Sequence, residues 1–156
     1  MKFYTDGSRI GLHKGNPLLG WGAVCDSGVV ASGSQIGGSN INAEMLAIKG
    51  LLEKLYKYKR KLIENHDTIE IVTDSLTSIQ IISGYLKTPE SYNIRESFNY
   101  ELAYEISKYI QNLKTLNKNV IFTHVKGHEK NIGNNFADYV AVQESEKLQK
   151  ELEQQD

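Results

Sequence analysis

The 156-residue sequence contains only one cysteine, two prolines and one tryptophan, and the low cysteine count excludes some classes of protein. Because Cys25 has no second cysteine to pair with, an internal disulfide and a cysteine-based zinc cluster are both excluded. We therefore expect a reducing compartment. The composition, 40% hydrophobic and 24% charged, is typical of a globular protein. We predict one domain over residues 1–156, in which residues 145–156 form a helical extension or a tail.

The sequence also lacks a long apolar run and an excess of charge of one sign. No stretch approaches the roughly 20 apolar residues of a membrane span. The first residues, which include Asp6, lack the apolar run of a signal peptide. We therefore predict a cytoplasmic protein with no membrane partner. The net charge of −1 argues against a strong attraction of the whole surface to nucleic acid, but it is compatible with a local basic patch.

Strand-like and helix-like patterns alternate along the chain. Apolar residues at helical spacing, such as Met45, Ile48 and Leu52, predict helices, and β-branched apolar runs predict strands. Asn42 is the expected N-cap of the first helix, and the glycines between residues 11 and 20 predict a loop. The predicted strands are residues 2–5, 20–26, 28–36, 68–74 and 119–125; the predicted helices are residues 42–58, 76 to about 84, about 96–113 and about 134–152.

In this order the elements predict an α/β fold built on a mixed sheet. A turn signal at residues 26–28 joins two strands of an antiparallel meander. The later strand around Ile69 and Val72 is apolar throughout, so it needs cover on both sides. We therefore expect helices on both faces of the sheet.

Two of the predicted strands stop on an aspartate, at Asp6 and at Asp74. Each of them alone is more typical of a turn, because Asp bonds its own backbone and Gly7 follows the first one. In open α/β sheets, however, chemistry gathers beyond the carboxyl ends of the strands. A shared site at this edge is therefore a hypothesis that further acids would strengthen.

Glu44 and Asp138 are two such acids. We expect Glu44 in the first turn of its helix, on the apolar face that continues with Ile48, where a carboxylate is costly unless a positive charge faces it. Asp138 lies three residues before Ala141, on the same face of its predicted helix. Considered alone, it is more typical of an exposed aspartate on a helix surface. Four acids directed at one place would repel one another, and they are typical ligands for hard divalent cations such as Mg²⁺.

Four stretches of the sequence resemble, in order, the four motifs of the ribonuclease H type 1 family: "FYTDGS", "NAEMLAI", "IVTDS" and "HVKGHEKNIGNNFADYVA". The resemblance covers roughly residues 2–143, and each acid lies 38, 30 and 64 positions after the one before it. It implies the ribonuclease H fold, a five-stranded sheet of order 3-2-1-4-5. It also implies an endonuclease that hydrolyses the RNA strand of RNA–DNA hybrids and leaves 3′-hydroxyl and 5′-phosphate ends.

The resemblance also implies the catalytic residues. Asp6, Glu44, Asp74 and Asp138 would be catalytic and would bind two Mg²⁺ ions, for which Mn²⁺ can substitute. His128 matches the mobile histidine of the family, which assists water activation or the release of product and metal. Histidine suits such a role because it exchanges protons near neutrality.

The substrate contacts that the resemblance implies involve backbone and small polar groups. The family distinguishes RNA by its 2′-hydroxyls, which it reads across the minor groove largely without sequence preference. The candidate substrate-binding residues are Gly7, Ser8, Asn16, Ser39 and Asn40.

The sequence departs from the family pattern in two places. Ile41 and Leu76 stand where a polar residue and a glutamine are common, so we expect the fine substrate contacts to differ. Some relatives carry a basic handle before the fourth motif, but residues 84–106 here have two cations, Lys87 and Arg95, against four glutamates at positions 90, 96, 101 and 105. We therefore expect a hybrid affinity that is weaker and more sensitive to salt than in basic relatives.

Alternatives remain open at this point. Exonucleases of the same fold usually carry a second acid where Ser8 stands, and a non-catalytic binding module would be expected to have lost an acid, whereas all four are present. A nuclease domain of a retroelement polyprotein fits as well as a free-standing enzyme, and we expect a monomer. The basic residues between Lys54 and Lys61 are interpreted as a solvated helix end. The histidines at positions 13, 66 and 124 match nothing catalytic.

Overall fold

The computed structural model describes residues 1–89, 98–126 and 131–155. The strands and helices follow one another in the order that the sequence pattern predicts, and one short 3₁₀ helix follows the first α-helix. In chain order they are β1 (Lys2–His13), β2 (Asn16–Cys25), β3 (Gly28–Ile36), α1 (Asn40–Lys57), the 3₁₀ helix (Arg60–Ile63), β4 (Thr68–Thr73), α2 (Leu76–Lys87), α3 (Phe98–Thr115), β5 (Asn119–His124) and α4 (Ile132–Gln155).

The strands form one mixed five-stranded sheet of order β3-β2-β1-β4-β5, which confirms the predicted fold class. The first three strands pair antiparallel, and β4 lies parallel to both β1 and β5. The central strand β1 therefore belongs to both halves of the sheet.

Helices cover both faces of the sheet, because successive side chains of a strand point to opposite sides. Phe3 belongs to the large core between the sheet and helices α1, α2 and α3, together with Ile71 of β4. Tyr4, the next residue of β1, packs with Val24 and with Val140 of α4 on the other side. Helix α4 lies across β1, β2 and β3, so it covers the antiparallel half of the sheet.

The prediction that the first strand ends at Asp6 was wrong. β1 continues to His13, and the predicted loop at residues 11–20 is instead a tight hairpin turn followed by β2. Lys14 and Gly15 both have positive φ, 52° and 83°, as two-residue hairpin turns require. The glycines that suggested a loop include Gly20, whose missing side chain leaves room for α4: a Cβ there would lie 2.2 Å from the Ala141 carbonyl oxygen.

The predicted helices are confirmed, with corrections at the start of α1. The N-cap is Ser39 and not Asn42: the Ser39 side chain accepts a hydrogen bond from Asn42 N, and the Asn42 side chain accepts one from Ser39 N. This reciprocal capping box satisfies two backbone donors, which is why the helix starts earlier than its apolar stripe. Because the helix starts earlier, Glu44 lies beyond its first turn, and the prediction that it lies within that turn was wrong. The predicted start of α3 at residue 96 lies outside the described residues.

Along the described residues, no helix combines the length and the apolar character needed to cross a bilayer.

Candidate active site

The register between β1 and β4 brings Asp6 and Asp74 to the same level. The last parallel pair joins Tyr4 to Val72, and each aspartate lies two residues further along its own strand direction. Beyond this point β4 ends at Thr73, whereas β1 continues and remains paired with β2. Asp6 therefore stands at the carboxyl end of the parallel half of the sheet, although it lies in the middle of its strand.

Gly7 brings Glu44 to the same place. A Cβ on Gly7 would lie 2.6 Å from both Ala43 C and Glu44 N, closer than real side chains come. The absence of a side chain at Gly7 thus lets the second turn of α1 press directly on β1 beside Asp6. The Asp-Gly pair has a structural role here that is different from the turn it suggests in isolation.

Hydrogen bonds around Ser75 fix the backbone on which Asp74 lies. Ser75 N donates to Thr73 Oγ1 (3.1 Å), and the Ser75 hydroxyl accepts from Ser78 N (3.2 Å) as the N-cap of α2. The two Oγ atoms of Ser75 and Ser78 lie 2.7 Å apart. Asp74 is therefore held between the end of β4 and the start of α2.

Helix α4 brings Asp138 to the site from the other face of the sheet. It approaches β2 closely because Gly20 and Gly22 have no side chains there: a Cβ on Gly22 would lie 2.6 Å from Val140 Cγ1. Asp138 is exposed on the helix, yet its carboxyl group interacts with that of Asp6 and its charge repels that of Asp74. The structure thus brings all four sequence-predicted acids to one edge of the sheet.

The tight part of this site is a cluster of three carboxyl groups. Ligand oxygens of Asp6, Glu44 and Asp74 all lie within 4.8 Å of one another. Asp6 is 5% exposed, and Glu44 and Asp74 are partly buried. Asp138 lies at the solvent side of this cluster.

Burial and mutual repulsion disfavour the ionised form of these groups. Burial raises the pKa of Asp6 from 3.8 to about 7; Asp74 and Asp138 also raise it, whereas the bonds with Glu44 and with Gly7 N lower it. Burial, and then the charge of Asp6, raises the pKa of Glu44 well above its ordinary value. Burial raises the pKa of Asp74 too, while its own backbone N–H and His124 act against this. The site therefore disfavours the state in which all three carboxyl groups carry a negative charge.

Comparison with protein families identifies the chain. The RNase H family model matches residues 1–146. The chain belongs to the RNase H family. This confirms the family predicted from the four motifs, and membership makes the chain a ribonuclease H. Among curated protein sequences, none matches the chain significantly.

Solved structures of RNase H proteins share this fold. The RNase H1 of the halophilic archaeon Halobacterium salinarum NRC-1 superimposes with a TM-score of 0.61 and 22% identity, over 94% of this chain and 97% of that one. LC11-RNase H1, isolated from compost by a metagenomic approach, gives 0.64 and 21%, over 94% and 96%. The foamy viral protease-reverse transcriptase gives 0.66 and 19%, over 92% of this chain but 20% of that protein.

Membership of the RNase H family implies the use of a divalent metal ion, and the carboxyl groups of Asp6, Glu44 and Asp74 are suitable ligands for one. Glu44 Oε2 is buried and has no hydrogen-bond partner among the described residues. An orphaned carboxylate oxygen beside two further carboxyl groups is costly in the protein alone. A hard cation with oxygen ligands would satisfy that oxygen and remove the repulsion.

The predicted substrate-binding residues of this ribonuclease H lie in three places. Gly7 and Ser8 follow Asp6 on β1, while Ser39 and Asn40 are exposed at the start of α1. Asn16 is exposed beside the hairpin turn, opposite His13 and about 20 Å along the strand from Asp6. The structure therefore does not bring Asn16 to the acids.

Two residues near the site were not singled out from the sequence. Asn134, one turn before Asp138 on α4, is 4% exposed, and its Oδ1 has no partner among the described residues. The i, i+4 spacing to Asp138 is the signal that indicates a shared helix face. His124 ends β5 opposite Thr73 and lowers the pKa of Asp74. Its position depends on strand pairing, which the sequence pattern alone does not specify. His128 lies outside the described residues.

Proposed function

We propose that this ribonuclease H is an endonuclease that hydrolyses the RNA strand of RNA–DNA hybrids. The observation that carries the proposal is the cluster of Asp6, Glu44 and Asp74 within 4.8 Å, with Asp138 beside it. Two of the similar structures support the substrate class: LC11-RNase H1 and the foamy viral protease-reverse transcriptase were each solved in complex with an RNA/DNA hybrid.

We assign the four acids as the ligands of two Mg²⁺ ions, with Mn²⁺ able to substitute. When bound, the metal would supply an activated water for in-line attack at phosphorus and charge stabilisation for the leaving 3′ oxygen, which gives 3′-hydroxyl and 5′-phosphate ends. The contribution of the chain is a set of carboxyl groups held close together before any ligand arrives. Because burial raises the pKa of Asp6 and of Glu44, binding of a cation there competes with binding of protons.

The proposed roles of the other residues concern the proton and the hybrid. His128 would take up or deliver a proton at the reacting water or at the product. Ser39 and Asn40 lie at the amino end of α1, where helix N–H groups attract phosphate, so we assign them to the DNA strand. Gly7 and Ser8 would face the RNA 2′-hydroxyls beside Asp6.

The test is cleavage of an end-labelled RNA–DNA hybrid in Mg²⁺, beside single-stranded RNA, duplex RNA and duplex DNA. We expect cleavage of the hybrid's RNA strand alone, and loss of that cleavage in Asp74→Asn. Asp26→Asn is the matched control, because Asp26 is an exposed turn residue and its loss should leave the rate unchanged. If the folded protein binds the hybrid but cuts nothing in Mg²⁺ or Mn²⁺, the protein is a binding module and the proposal is wrong.

We also propose a monomer that works in the cytoplasm as a single domain. The buried free thiol of Cys25 is consistent with a reducing compartment. Sedimentation of the purified protein with and without hybrid tests the monomer: one protein per hybrid site is expected, and a stable dimer of the free protein would contradict it.

A further inference from the structure

The far end of α1 carries a concentration of positive charge that the proposed catalysis does not use. Residues 54–61 contain five Lys and Arg residues and no Asp or Glu, whereas the whole chain has a net charge of −1. The other residues together therefore carry a net charge of −6. We call this segment, together with the side of α3 that carries Tyr104, Lys108 and Tyr109, the basic surface.

Aromatic rings alternate with the cations of the basic surface. Tyr58 is 71% exposed and Tyr104 is 47% exposed, which is unusual for large rings that only fill a core. Cation–ring contacts of energetic significance occur roughly once per 70–80 residues in proteins, so the four found here mark a specialised surface. They join Lys54 to Tyr58 (5.3 Å), Lys57 to Tyr109 (5.7 Å), Arg60 to Tyr56 (4.5 Å) and Lys108 to Tyr104 (5.4 Å).

Several of these cations are held in place by the protein. Arg60 Nε donates to the Tyr56 carbonyl oxygen at 2.6 Å, and Lys59 Nζ donates to the Val30 carbonyl oxygen at 3.1 Å. Within the described part of the chain, Lys57 is the only cation of residues 54–61 with a carboxylate oxygen within 4.0 Å, that of Glu53 at 3.9 Å. Most of the charge is therefore available to an anionic ligand at a reduced entropic cost.

Two adjoining clefts give the basic surface room for a ligand. One, of about 460 Å³, runs between α1 and α3 from Lys49 to Asn112 and includes Tyr56 and Tyr109. The other, of about 440 Å³, lies over residues 57–62. Lys57 lines both, so the two clefts adjoin at that residue; Glu53 and Glu105 also line the first of them.

We propose that the basic surface binds a single-stranded segment of nucleic acid, namely a single-stranded extension of the hybrid held at the acids. Phosphates would contact the cations and bases would stack on the exposed rings, the combination typical of single-strand binding. An acidic protein segment would use the cations but gain little from the exposed rings. The choice of a nucleic acid rests on the proposed function.

The reach required is short. Lys57 lies thirteen residues after Glu44 on the same helix, which is about 20 Å along the helix axis. A single strand of about six stacked nucleotides covers that distance. One substrate could therefore contact the acids with its duplex part and the basic surface with its extension.

Binding measured by fluorescence anisotropy in Ca²⁺, without cleavage, tests the proposal. The probes are a blunt RNA–DNA hybrid and the same hybrid with a single-stranded DNA extension. We expect the extension to raise the affinity for the wild-type protein. In Lys57→Gln/Lys61→Gln, we expect the added affinity to fall. The slope of the logarithm of the binding constant against the logarithm of the salt concentration should decrease in magnitude by about 1.4 for the extended probe. Tyr58→Ala should lose affinity for the extended probe by about fivefold or more.

The control removes the same charge elsewhere: Lys147→Gln/Lys150→Gln changes two exposed lysines of α4 and should leave the added affinity intact. Circular dichroism melting of each variant verifies that it is folded. Three results would overturn the inference: an extension that adds no affinity, equal losses in both double variants, or a polyglutamate peptide that competes as well as the strand while Tyr58→Ala has no effect. Cleavage of the blunt hybrid by each variant separates these results from a failure of the proposed function.

Discussion

The two ends of α1 differ in the sign of their charge and in how that charge is accommodated. Near its amino end, Glu44 lies against Asp6 and Asp74 in a partly buried site where burial raises the pKa of all three carboxyl groups. In its last turn and just past its carboxyl end, the cations of residues 54–61 lie at or near the surface beside aromatic rings. Lys54 and Lys57 in the last turn of α1 suit the helix dipole. At the acidic end, by contrast, burial and mutual repulsion disfavour the ionised carboxyl groups.

This difference indicates where the protein sacrifices stability for function. Carboxyl groups that are gathered and desolvated before a cation binds lower the stability of the metal-free fold. Solvated cations cost little and contribute little. Removal of charge should therefore change the stability of the metal-free protein strongly at the acidic end and very little at the basic end.

The largest effect is expected for Asp6→Asn. Loss of this carboxylate should reduce hybrid cleavage by about 1,000-fold, because the amide can neither carry the negative charge nor hold a cation as well. The same variant should be more stable than the wild-type protein at about pH 8 without metal, since a buried charge is removed. Single-turnover cleavage and urea unfolding measure the two effects. Equal stability of both proteins would show that Asp6 is not strained.

The next effect is a pH dependence of metal-free stability. Burial raises the pKa of Asp6 from its ordinary value of 3.8 to about 7 in the native protein, so the native state holds this proton more tightly than the unfolded chain. The resulting stabilisation is fully present below the lower value and is lost as the pH rises through the higher one. At about pH 8 the loss reaches about 4 kcal/mol at most.

Urea unfolding between about pH 4 and pH 8, in the wild-type protein and in Asp6→Asn/Glu44→Gln, isolates this contribution from that of other groups. The difference between the two proteins should grow with pH, and Mg²⁺ should raise the melting temperature of the wild-type protein more at the alkaline end. A difference independent of pH would contradict the raised pKa values.

A smaller effect is expected for Gly7→Ala. The added methyl group would press on Ala43 and on Glu44 N at 2.6–2.7 Å, so we expect a loss of about 1–3 kcal/mol in the free energy of unfolding. Cleavage should also fall, because Glu44 moves relative to Asp6. The control is Gly50→Ala on α1, where the nearest atom to the new Cβ is 3.6 Å away. That control should gain about 0.5–1 kcal/mol from helix propensity.

The smallest effect is expected at the basic end. Lys54→Gln/Lys61→Gln changes exposed residues, so the free energy of unfolding should change by less than about 0.5 kcal/mol at any pH between about 5 and 8. Thermal unfolding in parallel with Asp6→Asn provides the contrast. A large loss of stability would mean that the basic end, too, is structurally constrained.

Much of the candidate site could be predicted because its residues carry local signals. Asp74 follows a β-branched run and Glu44 lies on an apolar stripe, so each could be placed on an element from the sequence. The extent of β1 was missed because the glycines between residues 11 and 20 read as loop formers, although Gly20 is needed for close contact with α4. His124 and Asn134 were missed because their proximity to the acids depends on strand register and helix packing.

The sequence by itself determined the element types, the order of the four motifs and the membership of the RNase H family, because periodicity and short motifs are properties of neighbouring residues. Only the tertiary structure decided that Asp6 lies within a strand, that the absence of a side chain at Gly7 lets α1 approach, and that Lys57 lies over the Tyr109 ring of α3. Pairing and packing join residues that are far apart in the chain, and the burial that raises the pKa of Asp6 exists only once they are joined.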